Sequence, residues 1–155
     1  MRNPSIALAT VLGGVLLLQL CCQQAHAALG EDLASVEADR QHMKAQMRVS
    51  TAPQGYTVHE IQTPMNTVVR EYVSPSGKVF AVSWRGPVLP DLQQTLGSYY
   101  QSYQAAAQAP HAGHRHLSVQ RADIVIHSNG HMRAFSGFAY IPALLPTNLS
   151  PSDIQ

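Results

Sequence analysis

The feature that most constrains this chain is a pair of strand-forming runs, residues 68–73 and 78–84, joined by Ser74-Pro75-Ser76-Gly77. Proline presets one backbone dihedral and glycine accepts positive φ, so the four joining residues spell a tight turn. The run before the turn is rich in β-branched and aromatic residues, which suit a pleated surface. In the run after it, Lys78, Phe80, Val82 and Trp84 share one face by period two, with Val79, Ala81 and Ser83 on the other. Both faces carry apolar residues, which predicts a hairpin in the interior of a sheet. A weaker alternation over residues 56–62 adds a strand before it, with Thr63-Pro64-Met65-Asn66 as the intervening turn.

Elements on either side follow from periodicity and punctuation. Leu29, Leu33, Val36, Met43 and Met47 recur at helical steps with Arg40 in the same stripe, predicting a helix over residues 31–48. Glu31 and Asp32 stand where the helix dipole favours anions, Lys44 and Arg48 where it favours cations. Asp91 reads as an N-cap with Gln94 completing a variant capping box. It opens a second helix with the stripe Leu92, Leu96, Tyr99, Tyr103 and Ala106, weakened at Gly97. Residues 105–113 read as an alanine-rich surface linker. Further strands are predicted over 117–120, 122–127 and 131–141, with Ser128-Asn129-Gly130 as a hairpin turn and a bulge near Ser136-Gly137. Pro142, Pro146 and Pro151 make the C-terminal tail extended and non-helical. The fold class is α+β: a mostly antiparallel sheet of about four to six strands, one N-terminal helix, and a second helix packed on the sheet. The short connection at residues 86–90 should fold that second helix over Phe80, Val82 and Trp84, leaving Arg85 on the opposite face.

The first residues read as an address. Arg2 precedes an apolar run over residues 6–20, and Ala25-His26-Ala27 offers the small-x-small pattern of a signal-peptidase site. The run is short for crossing a hydrocarbon core of ~30 Å, so a cleaved leader, residues 1–27, is expected rather than a membrane anchor. Residues 28–155 then form a single domain. Cys21 and Cys22 are the only cysteines, and both lie in that leader. The processed chain has no disulfide, no cysteine nucleophile and no thiolate ligand. Removing Arg2 leaves nine basic and nine acidic residues. Such a balance gives no phosphate-binding stripe and no basic run, which argues against nucleic acid and against anionic lipid.

Three sets of residues could carry chemistry. Trp84, Arg85, Tyr99, Tyr100 and Tyr103 gather near the expected seam of sheet and helix, where aromatics line ligand grooves or simply fill a core. His111, His114 and His116 crowd one short segment, and His127 and His131 flank the second hairpin turn. Converging imidazoles bind zinc, copper or nickel, but this spacing is that of solvated loop residues rather than a helical zinc pair. Glu60 and Glu71 could form an acid pair on neighbouring strands, although ion pairing with Arg70 or Arg85 is the more ordinary use. No Gly-x-Ser-x-Gly and no glycine-rich phosphate loop occurs, so no catalytic residues and no cofactor are assigned.

Four words in the sequence are distinctive: Glu71-Tyr72-Val73, Gly77-Lys78-Val79-Phe80, Trp84-Arg85-Gly86-Pro87 and Pro142-Ala143-Leu144-Leu145-Pro146. On these the chain resembles the exported proteobacterial family catalogued as domain of unknown function 2844. The resemblance implies a Gram-negative source and export, and it brings no activity. The expected role is a small non-enzymatic binding or accessory module, periplasmic or secreted, with a protein or small-molecule partner in the cell envelope. A histidine-based metal-binding protein and a small hydrolase are the alternatives.

Overall fold

The computed structural model describes residues 29–53, 55–110 and 116–154. The leader expected at residues 1–27, and His111 and His114, lie outside the described residues. Strands run at Gln46–Thr51 (β1), Thr57–Gln62 (β2), Val68–Val73 (β3), Val79–Gly86 (β4), His116–Gln120 (β5), Val125–His131 (β6) and Ala134–Tyr140 (β7). They form one seven-stranded sheet in the order β1-β2-β3-β4-β7-β6-β5, with every neighbour antiparallel. Helices occupy Leu33–His42 (α1), Leu92–Leu96 (α2) and Tyr100–Gln108 (α3). The architecture is α+β with the sheet as its larger part. Among the described residues no helix is long and apolar enough to cross a membrane.

The hairpin of β3 and β4 forms as its turn chemistry predicts, and β4 is the middle strand of the sheet. Its faces differ from strict alternation. Tyr72 pairs with Ala81, but Val73 pairs with Val79, so Phe80 is an extra residue in the ladder. The bulge turns Phe80 to the same side as Ala81, away from Val82 and Trp84. The expectation that Phe80, Val82 and Trp84 share a face is therefore corrected. Two cores result. On one side, Ile61, Val69, Val82, Trp84, Ile126 and Ala139 pack beneath Val36, Leu92 and Leu96 of the helices. On the other, Tyr56, Tyr72 and Phe80 pack with Leu149 and Ile154 of the C-terminal tail. Phe80 meets Tyr56 edge-on at 5.7 Å and lies 6.2 Å from Tyr72.

Other departures have local causes. The first helix ends at His42, not residue 48: Lys44 takes φ +49°, and the chain enters β1, paired with β2 from Gln46 to Thr51. Leu33 is consequently exposed, while Ser35, Val36 and Asp39 face the sheet. Asp91 does cap α2, accepting from the backbone N–H of Gln94 at 3.1 Å, but Gly97 at φ +52° divides the expected second helix in two. Its second part, α3, runs to Gln108 into the expected linker. The turn between β6 and β7 is Met132-Arg133, with Arg133 at φ +59°; Asn129 and Gly130 stay within β6. No bulge occurs at Ser136-Gly137, where pairing to both neighbours is continuous. Gly137 serves a different end: a Cβ there would lie 2.3 Å from Trp84 Cζ2, so the indole lies against bare backbone. The tail contains short 3₁₀ turns at Pro142–Leu144 and Pro151–Asp153 rather than being wholly extended.

Candidate functional site

Polar groups under the helices are closed off from solvent. Asp39 comes down from α1 and Glu71 rises from β3, and both are buried. Gln94 of α2 donates its Nε2–H to Asp39 Oδ1 at 2.7 Å. Burial raises the Glu71 carboxyl well above the usual carboxylate range, and its hydrogen bond to Asp39 and the Asp39 charge raise it further. Burial raises Asp39 too, but hydrogen bonds from Glu71 and Gln94 oppose the shift. Asp39 Oδ2 and Glu71 Oε2 have no hydrogen-bond partner of ordinary geometry among the described residues, and burial beside the Asp39 charge favours a proton on Glu71. His59 stands opposite Glu71 in the β2–β3 register, with Nε2 3.3 Å from Thr57 Oγ1 and Nδ1 unpartnered. Burial lowers its pKa, keeping it neutral. The sequence-level pairing of Glu60 with Glu71 does not occur. Glu60 is on the other face, bridged to Arg70 at 2.9 Å. Sequence reasoning missed the Asp39–Glu71–Gln94 cluster, since its members come from three separate elements.

The tail-side face is divided. The C-terminal tail covers its aromatic half. Its other half carries a row of Gln62, Val68, Arg85, Ser136, Asn129 and His116 across six strands. Arg85 is exposed on the central strand and makes no hydrogen bond or ion pair with any described residue. Two concavities meet at it. One, of about 240 Å³, is lined by Arg85, Asn129, Ser136, Phe138 and Ile154, with Trp84 and Gly137 at its floor. The other, of about 410 Å³, is lined by Arg85, Pro87, Arg133, Phe135 and Ser136. Neither lining contains a carboxylate. Nearby acids are committed elsewhere: Glu60 to Arg70, and Asp153 to the backbone N–H of Ser150 at 3.0 Å. A third groove, of about 350 Å³, lies at the end of α1 between Met43, Met65, Val88 and Leu89. It is apolar, and the His42–Asp91 pair at 3.5 Å closes its charged rim.

The residues singled out from the sequence are not brought to one site. Trp84 is 2 % exposed on the helix side, its Nε1–H unpartnered, while Arg85 points to the tail side. Tyr99, Tyr100 and Tyr103 are half-buried against the helix-side core, with Tyr100 and Tyr103 stacked at 6.0 Å. The sheet separates the three tyrosines from Arg85, whereas Trp84 borders the smaller groove beside it. His116 begins β5 and bonds Asn129 through Nδ1, His127 lies against Phe138 at 4.9 Å, and His131 is exposed at the end of β6. Among the described residues no group of three or more His, Cys, Asp or Glu is placed to hold a metal ion.

A family described as a protein of unknown function, DUF2844, matches residues 25–154, which span the whole sheet, both cores and the open row. The chain belongs to the DUF2844 family. No curated protein and no solved structure matches it. Within this DUF2844 chain, the words Trp84-Arg85-Gly86-Pro87 and Pro142-Ala143-Leu144-Leu145-Pro146 take different parts. The first ends the central strand and puts its arginine in the open row. The second begins the tail that covers the aromatic half.

Proposed function

We propose that this chain is an exported, non-enzymatic binding module, periplasmic or secreted, that takes its ligand on the open half of the tail-side face around Arg85. The observation that carries this reading is an exposed guanidinium near the end of the central strand, at the junction of two grooves and without a partner among the described residues. Polar donors beside a small apolar surface are the usual make-up of a ligand site. Export rests on the leader pattern of residues 1–27 and on the confinement of both cysteines to it.

Native mass spectrometry of the protein purified from its own cell envelope tests the reading. A small-molecule adduct is expected on the parent and absent from a folded Arg85→Gln variant. A bare parent, or an adduct that survives in Arg85→Gln, contradicts it. Intact mass tests the export separately: the chain should begin at Ala28, and retention of Cys21 or Cys22 overturns that part.

A further inference from the structure

We infer that the ligand of the Arg85 groove is an oxyanion, a carboxylate or a phosphate monoester, joined to an apolar body that lies along Phe138. The inference rests on the Arg85 reading above and names the chemistry of what binds there. A guanidinium offers a rigid fork of N–H donors that matches two oxygens of one anionic group. Arg85 keeps that fork uncommitted among the described residues. Ser136, its direct neighbour on β7, adds a hydroxyl. Asn129, next across on β6, has its Oδ1 engaged by His116 Nδ1, which leaves the amide N–H groups for a ligand. Every polar group of the smaller groove can thus donate, and no lining carboxylate competes for the arginine. Arg133 lines the adjoining groove and adds a second positive charge beside the same Ser136.

The apolar part of the inference comes from the opposite wall. Phe138 is half-buried, with His127 at 4.9 Å on one side and Tyr140 at 6.3 Å on the other. Ile154, fully buried, closes the groove from the tail. A bare anion on an exposed arginine gains little in water. An attached apolar group gains area on this wall and excludes water from the ion pair, which strengthens it.

Side-chain NMR of arginine Nε–Hε groups tests this with benzoate, phenyl phosphate, acetate and benzyl alcohol as probes. Benzoate or phenyl phosphate should move the Arg85 signal saturably and bind at least about tenfold more tightly than acetate or benzyl alcohol. The tighter of the two identifies the head group. Arg85→Gln should weaken that binding by about tenfold, the scale of one lost charge-assisted contact, with the rest of the spectrum unchanged. If benzyl alcohol binds as well as benzoate, the oxyanion is not required; the inference fails while the groove remains a binding surface. If no probe moves Arg85, or if Arg48 and Arg121 respond like Arg85, the inference is overturned. The envelope adduct then decides the binding reading on its own.

Discussion

Under the helices, the sheet row from Val49 through His59, Glu71, Val82, Ala139 and Ile126 to Val119 contains two titratable groups, and both are buried. On the other side, the row from Gln46 to His116 carries Arg85, Ser136 and Asn129 into solvent-facing grooves. The helix side uses polarity internally: Glu71 keeps its proton beside Asp39, and Gln94 holds Asp39 from a second helix. The tail side leaves its polar row unspent once its aromatic half is covered. A perturbed carboxyl pair is a familiar sign of an active site. Here it is closed to solvent, and its chemistry fastens α1 and α2 to the sheet. The groups available to a ligand are the ordinary ones across the sheet.

The largest expected effects test whether each face holds a core of its own. Trp84→Ala on the helix side and Phe80→Ala on the tail side should each destabilise by about 3–5 kcal/mol in chemical denaturation. A neutral Phe80→Ala would mean that the tail covers nothing of consequence. Trp84 is the only tryptophan, so fluorescence reports the helix side alone. Its emission should be blue-shifted and resist acrylamide, and easy quenching would place it outside the core. Gly137→Ala comes next. Its Cβ would meet Trp84 Cζ2 at 2.3 Å and the His127 carbonyl at 2.5 Å, an overpacking that should cost about 1–3 kcal/mol or more. A neutral result would show that the indole does not lie on this backbone.

Smaller, and dependent on pH, is the effect of the carboxyl pair. The folded chain keeps a proton on Glu71 that the unfolded chain releases above about pH 4.5. Stability is therefore full below that pH and is lost as pH rises toward the raised folded value. His59 acts with the opposite sign: the folded chain favours neutral imidazole, so stability is lost as pH falls below about 6.5. The charged and titratable groups around the pair are His42 and Asp91 from the helix side and His59 from β2. Above about pH 6.5 the His59 contribution is complete and the carboxyl slope stands alone. Glu71→Gln keeps a donor for Asp39 and removes the proton, so it should flatten the decline in denaturation midpoint as pH rises from about 4.5 toward the raised folded value of Glu71. A parent and variant with equal slopes would show that the pair does not hold a proton.

Local chemistry was the legible part of the sequence. Ser74-Pro75-Ser76-Gly77 marks the central hairpin and Asp91 marks the start of α2, because each depends on neighbours along the chain. The strand β1 was hidden because Met43 and Met47 continue the helical spacing, and an edge strand exposed along most of its length shows no alternation. The bulge at Phe80 was hidden for a related reason: apolar residues on both faces leave period two with nothing to detect. Asn129-Gly130 resembles a hairpin turn, yet pairing holds it in β6, and an arginine takes the positive φ instead. The outward direction of Arg85 followed from alternation. Its neighbours Ser136 and Asn129 did not, since only the placement of β7 beside β4 brings them together.

The central claim is that Arg85, Ser136 and Asn129 do not hold the sheet together, in contrast to the Asp39–Glu71–Gln94 cluster beneath the helices. Urea unfolding of the triple variant Arg85→Gln, Ser136→Ala, Asn129→Ala measures this directly. Among the described residues Arg85 is exposed and unpartnered, Ser136 is half-buried, and the Asn129 side chain bonds only the exposed His116. Surface substitutions of this kind usually change stability by no more than about 0.5 kcal/mol each, so the midpoint should stay close to that of the parent with the slope unchanged. A loss of several kcal/mol would show that the row holds the sheet together, and the open face would then be scaffold rather than site.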